Sequence, residues 1–300
     1  MIGAQDTVQP IDGVDVHIEG RGADTLVMVH GWPDTYRLWD EQVAFLQARH
    51  RCVRFTLPGF DIGKPARAVS LDEIVATLKH IVEATCPGEK VTLLLHDWGC
   101  VFGYQFAMRH PELVKRIVGV DVGDAGSRAH LQGMPLKAKA MVFAYQVWLA
   151  IAWRLGGRVG DRMTRAMARA ARCRSDPQFI GAAMNYPYYI AWTGAHGGYR
   201  RAVPFAPHWP MLYLYGRRKP FQFQSAAWLE ALRARPGSQA LEFDTGHWVM
   251  KNKPQEFNHA VAAWLEATAA ALRAELGVPV YDVYSMISWF HAGLRPRVFR

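Results

Sequence analysis

Cysteine is scarce in this chain, and the four that occur show no pairing. Cys52, Cys86, Cys100 and Cys173 have neither the spacing of a disulfide framework nor that of a zinc site. A reduced intracellular protein with no metal and no cofactor is expected. Long apolar runs are missing as well. The most hydrophobic stretch, residues 141–153, is too short to span a bilayer and is patterned as an amphipathic segment. Residues 1–15 lack the apolar core of a secretory signal. Spanning and secreted classes are set aside, and a soluble, cytoplasmic protein is expected, as a monomer or homodimer. The chain has no internal repeat, no low-complexity tract, no zinc-finger spacing and no RNA-binding signature. The formal charge of +9, from 35 basic and 26 acidic residues, therefore reads as a solvated basic surface, with no nucleic-acid partner. The arginines are dispersed, with mild concentrations at 154–174 and 295–300.

The composition of the 300 residues is that of a globular protein, 50% apolar and 20% charged, long enough for one large α/β domain with an inserted lid. Strand patterns occur at 14–19, 25–29, 52–56, 91–95, 114–122, 211–215 and 239–243, with helical periodicity at 38–49, 71–84, 101–109 and 254–274. Ser70 and Glu73 form a capping-box pattern before the second helix. This alternation predicts a mostly parallel sheet covered by helices on both faces. Residues 124–203 differ, being rich in alanine, arginine, methionine and aromatics without a clear strand. The predicted organisation is a core at 1–123, a helical cap at 124–203, a second core segment at 204–274 and an aromatic tail at 275–300, expected to pack on the core.

The chemistry is expected at the turn after strand 91–95. There the chain reads His96-Asp97-Trp98-Gly99-Cys100 and then becomes helical. A sharp strand-to-helix turn lifts its turn residue above the sheet edge, over the free N–H groups of the helix start. A serine at that point predicts an esterase. Asp97 instead offers a carboxylate, which attacks sp3 carbon and leaves an ester on the enzyme.

Three short motifs occur in order, each after a predicted strand: His30-Gly31-Trp32-Pro33, His96-Asp97-Trp98-Gly99 and Gly246-His247-Trp248. In these residues the chain resembles the α/β-hydrolase superfamily, and within it the epoxide hydrolases and haloalkane dehalogenases with an aspartate nucleophile. The resemblance covers roughly residues 10–270. It implies that Asp97 attacks carbon, that His247 activates water, and that the N–H groups of Trp32 and Trp98 hold an oxyanion. His30 is expected to brace its turn. The usual place of the triad acid, after strand 211–215, holds Lys219, which cannot support a histidine cation. Some relatives carry the acid one strand earlier. Asp121 stands there and is the expected partner of His247, with Asp124 and then Asp244 as alternatives.

The leaving group separates the two branches. An epoxide leaves as an alkoxide and needs an acid, whereas a halide needs only N–H donors. Five tyrosines fall in the predicted cap, at 145, 186, 188, 189 and 199. Tyr145 and Tyr199 resemble the two that epoxide hydrolases use. Trp32 stands where many dehalogenases have asparagine. No arginine pair follows Asp97, so a neutral, apolar small-molecule substrate is expected, in a pocket lined by Trp32, Trp98, Phe143, Trp148 and Trp192. The expected activity is epoxide hydrolysis, with water as co-substrate. A haloalkane dehalogenase is the first alternative, and an inactive binding protein of the same fold the second.

Overall fold

The computed structural model describes residues 6–275. The chain divides into two units, Met1–Val261 and Ala262–Arg300. The sheet and every residue discussed as part of a site lie in the first. The aromatic segment 276–300 lies outside the described residues.

Eight strands form one sheet in the order β1-β2-β4-β3-β5-β6-β7-β8. They are β1 (Thr7–Ile11), β2 (Val14–Glu19), β3 (Asp24–Val29), β4 (His50–Phe55), β5 (Val91–His96), β6 (Val114–Val120), β7 (Met211–Gly216) and β8 (Gln239–Phe243). β1 and β2 pair antiparallel with each other, and β2 with β4; all other pairs are parallel. Every residue of β5 and β7 is buried, as a parallel strand covered on both faces requires. The expected mostly parallel α/β sheet is thus present. β1 was not expected: four of its five residues are exposed and Pro10 interrupts it, so it has no apolar alternation to read.

The helices are α1 (Asp40–Leu46), α2 (Leu71–Thr85), α3 (Trp98–Arg109), α4 (Arg128–Gly133), α5 (Leu136–Leu155), α6 (Gly157–Ala170), α7 (Tyr186–Thr193), α8 (Ala226–Arg233), α9 (Val249–Asn252) and α10 (Pro254–Glu275). α2 starts at Ser70, whose hydroxyl accepts from the Glu73 N–H while Glu73 accepts from the Ser70 N–H, satisfying two donors that the helix leaves free. The helix expected at 38–49 is instead a 3-10 turn at Tyr36–Trp39 followed by the shorter α1. Phe55, Phe60, Phe102 and Phe106 are fully buried in the core, each burial stabilising by about 2–3 kcal/mol. Between β6 and β7 the chain leaves the sheet for α4–α7, and α5 packs on both α6 and α7. No helix among the described residues is long and apolar enough to cross a membrane.

Candidate active site

Asp97 stands at the bend between β5 and α3 with φ 53 and ψ −122. The bend brings two chain segments together. A Cβ on Gly99 would sit 2.2 Å from the Val29 carbonyl oxygen, and one on Gly31 would sit 2.4 Å from Asp97 Oδ1. Only glycine leaves room for this approach. The Trp32 N–H then donates to Asp97 Oδ1 at 2.7 Å, and the Trp98 N–H is a second backbone donor to the same carboxylate.

His247 follows β8 and reaches Asp97 from the other side, with Nε2 3.3 Å from Oδ2. Its Nδ1 is hydrogen-bonded to Asp121 Oδ2. Asp121 follows β6, is fully buried, and accepts from the Gly216 N–H at 2.8 Å through Oδ1. Lys219 Nζ lies 2.6 Å from that same Oδ1. The structure therefore brings Asp97, His247 and Asp121 into one chain of contacts. Asp124 instead accepts from the Ser225 N–H, and Asp244 pairs with Arg217 and Arg218 at the surface.

The charges in this chain are mutually dependent. Burial by itself lowers the pKa of His247, but the carboxylates of Asp121 and Asp97 outweigh it and hold the imidazolium up to about 9. Burial raises Asp97, yet the hydrogen bond and charge of His247 win, so its carboxyl lies below the usual range. Asp121 is likewise lowered against the cost of burial, by Lys219 and His247. Lys219 is lowered by burial despite Asp121. The resting arrangement is a buried carboxylate–imidazolium–carboxylate–ammonium row.

Two further groups stand behind the histidine. His96 packs on it at 4.5 Å between ring centroids, and burial, then the His247 charge, push it down to about 3. Asp34 is fully buried, accepts from Trp248 Nε1 at 2.9 Å and from the Ser175 hydroxyl, and is raised by burial to about 6. His30 braces its turn: Nδ1 donates to the Gly31 carbonyl and Nε2 accepts from the Leu57 N–H, both at 2.9 Å.

Aromatic side chains cover Asp97. Tyr188 of α7 packs edge-on against Trp32, Trp98 and Tyr145, with ring centroids 6.0, 5.3 and 5.9 Å away. Burial raises the phenols of Tyr145 and Tyr188, and the Asp97 charge raises both further, so both stay protonated beside it. Tyr199 stacks on Trp98 at 5.6 Å, but its hydroxyl donates to the Pro187 carbonyl at 3.4 Å. Tyr188 was not singled out in the sequence, although Pro187 at the start of α7 marks where its helical facing begins. Phe143, Trp148 and Trp192, expected to line the pocket, stand on the outside instead, 53%, 42% and 48% exposed. The period of α5 explains this for Phe143 and Trp148: Leu149 and Ala152 take the buried face and turn those two rings away.

Among the described residues there is no group of three or more His, Cys, Asp or Glu placed to hold a metal ion. A cleft of about 390 Å³ walled by Asp15, His17, Tyr36, Arg37 and Arg67 contains none of the residues around Asp97.

The site thus joins a carboxylate engaged by backbone donors to an imidazole, on a fold that known proteins share. The family model for the alpha/beta hydrolase fold matches residues 24–254. "Epoxide hydrolase 2" of Caenorhabditis elegans is 25% identical over 258 residues, covering 78% of this chain and 72% of that protein. "Probable oxidoreductase EphD" of Mycobacterium bovis is 32% identical over 126 residues, 40% of this chain but only 21% of the relative's length. Among solved structures, an epoxide hydrolase from Bacillus megaterium superposes with a TM-score of 0.65 at 18% identity, covering 87% of this chain and all of its own. A haloalkane dehalogenase from Bradyrhizobium elkanii gives 0.63 at 17% identity, over 89% of this chain and 98% of its own. The family match spans more than half of the sequence, and the chain belongs to the α/β-hydrolase fold family.

Proposed function

We propose that the protein hydrolyses neutral, apolar epoxides to vicinal diols through an ester on Asp97. The observation that carries this reading is the Asp97 carboxylate held between two backbone N–H groups on one side and His247 on the other, beneath the phenols of Tyr145 and Tyr188. Oδ1 is engaged by the Trp32 N–H, so Oδ2 is the attacking atom. It forms a bond to an epoxide carbon as the ring C–O bond breaks, and a phenol gives its proton to the departing oxygen.

In the ester, Oδ1 becomes the carbonyl oxygen and already lies at the Trp32 and Trp98 N–H groups. Esterification removes the Asp97 charge that favours the imidazolium, so His247 gives up its proton to the phenolate left by ring opening. Neutral His247 Nε2 then takes a proton from water, and the hydroxide adds to the ester carbon. The N–H pair stabilises the resulting oxyanion. Collapse expels the diol oxygen, which takes the proton from His247, and the acid left on Asp97 passes its own proton to Nε2, restoring the carboxylate and the imidazolium. Asp121 keeps the imidazole oriented and stabilises its charged form. Helices α4–α7 serve as a cap that excludes water while the ring opens.

The second reading, a haloalkane dehalogenase, is favoured by the placement of Asp121 after β6. Against it, the indole N–H of Trp32 is committed to Asn185 Oδ1 at 2.7 Å, and that of Trp148 to the Met163 carbonyl at 3.1 Å. Neither is free to grip a halide. A histidine without a carboxylate partner would favour the inactive-protein reading, and His247 has Asp121. A panel of styrene oxide-like epoxides and short bromoalkanes tests the assignment. Diol formation without halide release is expected; halide release without diol would replace the proposal with the second reading.

A further inference from the structure

The net charge of the chain is unevenly placed. Residues 124–203 hold twelve of its 35 Lys and Arg but only three of its 26 Asp and Glu, so this insertion accounts for the whole excess of nine positive charges. Its cations are ordered. Arg158, Arg162 and Arg169 share one stripe of α6, four and seven residues apart, and all are exposed. Lys137, Lys139 and Arg154 lie on α5. None of the six has an ion-pair partner among the described residues.

The same helices expose large apolar side chains. Leu136 is 83% exposed, Phe143 53%, Trp148 42%, Ile151 48% and Leu155 58%, and Val159 at the start of α6 is 57% exposed. At 3.6 residues per turn the five on α5 fall within an arc of about 140°, so they form one stripe rather than scattered single residues. Trp148 is held at the surface by its hydrogen bond to the Met163 carbonyl.

A polyanion such as nucleic acid answers the guanidinium row but leaves the apolar stripe against phosphates. A second copy covers the apolar stripe but sets basic rows face to face. Residues 276–300 carry three arginines against one aspartate, the same sign as this face. An anionic bilayer meets both features. Its headgroup phosphates take the cations, and its acyl boundary takes leucine, isoleucine and aromatic side chains. We propose that the α5–α6 face docks peripherally on an anionic phospholipid surface, with Leu136, Trp148, Ile151 and Leu155 entering the interface and Arg158, Arg162 and Arg169 on lipid phosphates.

The test uses the full chain and sucrose-loaded vesicles, either phosphatidylglycerol and phosphatidylcholine in equal parts or phosphatidylcholine alone. Sedimentation with the mixed vesicles is expected, about tenfold or more above that with the neutral ones, and it weakens as salt is raised. The triple variant Arg158→Glu, Arg162→Glu, Arg169→Glu should bind at least about tenfold more weakly. The triple variant Leu136→Ser, Ile151→Ser, Leu155→Ser should also lose binding while its residual binding keeps the salt dependence. Equal sedimentation with both vesicle types, or with neither, overturns the proposal. So does binding that the serine variant leaves intact while mixed-sequence DNA is captured equally well, or a dimer that the serine variant disrupts without any vesicle binding. Should a variant fail to fold, the parent protein decides. Lipids brominated in the upper acyl chain should quench its tryptophan emission, and Trp148→Phe should reduce that quenching; absence of quenching overturns the proposal.

Discussion

Lys219 and Asp121 form a buried ion pair directly behind the His247 imidazole, with Nζ 2.6 Å from Oδ1 while Oδ2 holds His247. The ammonium occupies the place where the sequence pattern leads one to look for the acid. It supports the acid from the next strand instead. It also competes with His247 for the same carboxylate, and so sets how basic the imidazole is. His96, Asp34 and Asp97 are the other titratable groups around that ring.

Lys219→Met should therefore move the acid limb of ester hydrolysis, below which His247 is protonated, to higher pH, because Asp121 then holds the His247 proton more tightly. The pH profile of kcat checks this. The same substitution leaves a buried carboxylate short of a partner and should cost about 3 kcal/mol of stability. Lys219→Arg should restore most of both. A profile that does not move, with stability lost, would make Lys219 a structural residue only.

Asp97→Ala should abolish turnover. His247→Gln should still allow ring opening but slow ester hydrolysis by about a thousandfold or more. Intact-mass spectrometry after mixing with a reactive epoxide should then show the enzyme heavier by one substrate. With no adduct for any reactive epoxide, the two-step scheme fails.

Tyr145, Tyr188 and Tyr199 should not be equivalent. Tyr145→Phe and Tyr188→Phe should each lower kcat on epoxides by about a hundredfold, since both phenols sit within reach of the Asp97 charge. Tyr199→Phe should lower it much less, because its hydroxyl is turned to the Pro187 carbonyl. Steady-state kinetics of the three variants rank them. A larger loss at Tyr199 than at Tyr188 would reverse the assignment.

Asp34 gives stability its own pH dependence. Its folded pKa is raised by burial from 3.8 to about 6, so its contribution is fully present below 3.8 and is lost as pH rises through 6. The loss is about 3 kcal/mol at most. Asp34→Asn keeps an acceptor for the Trp248 indole and removes the titration. Thermal unfolding from pH 4 to 8 should show the variant gaining on the parent as pH rises. Parallel curves would absolve Asp34.

Much of this is legible in the sequence. Apolar runs bounded by turn residues mark β2–β8, because strands buried on both faces have few polar positions to blur them. β1 was invisible for the opposite reason, being an exposed edge strand with a proline. The order of the three motifs brings out Asp97 and His247, and the misfit of Lys219 leads to Asp121. Facing on the helical insertion was much less legible. Phe143, Trp148 and Trp192 carry the same apolar signal as Tyr145 and Tyr188, and only packing on α6 and α7 decides which rings point inward. Asp34 directly follows the His30–Pro33 motif, yet nothing in its neighbours announces that a carboxyl there is fully enclosed.

The φ of 53 at residue 97 places a side chain where any residue but glycine is strained by about 1–3 kcal/mol. Glycine relaxes that bend and, under the proposed scheme, ends the reaction in one change. Folding and turnover thus pull this position in opposite directions. In a lineage that no longer needs the product, residue 97 should be among the first to drift, leaving a sturdier scaffold whose imidazole faces an empty corner.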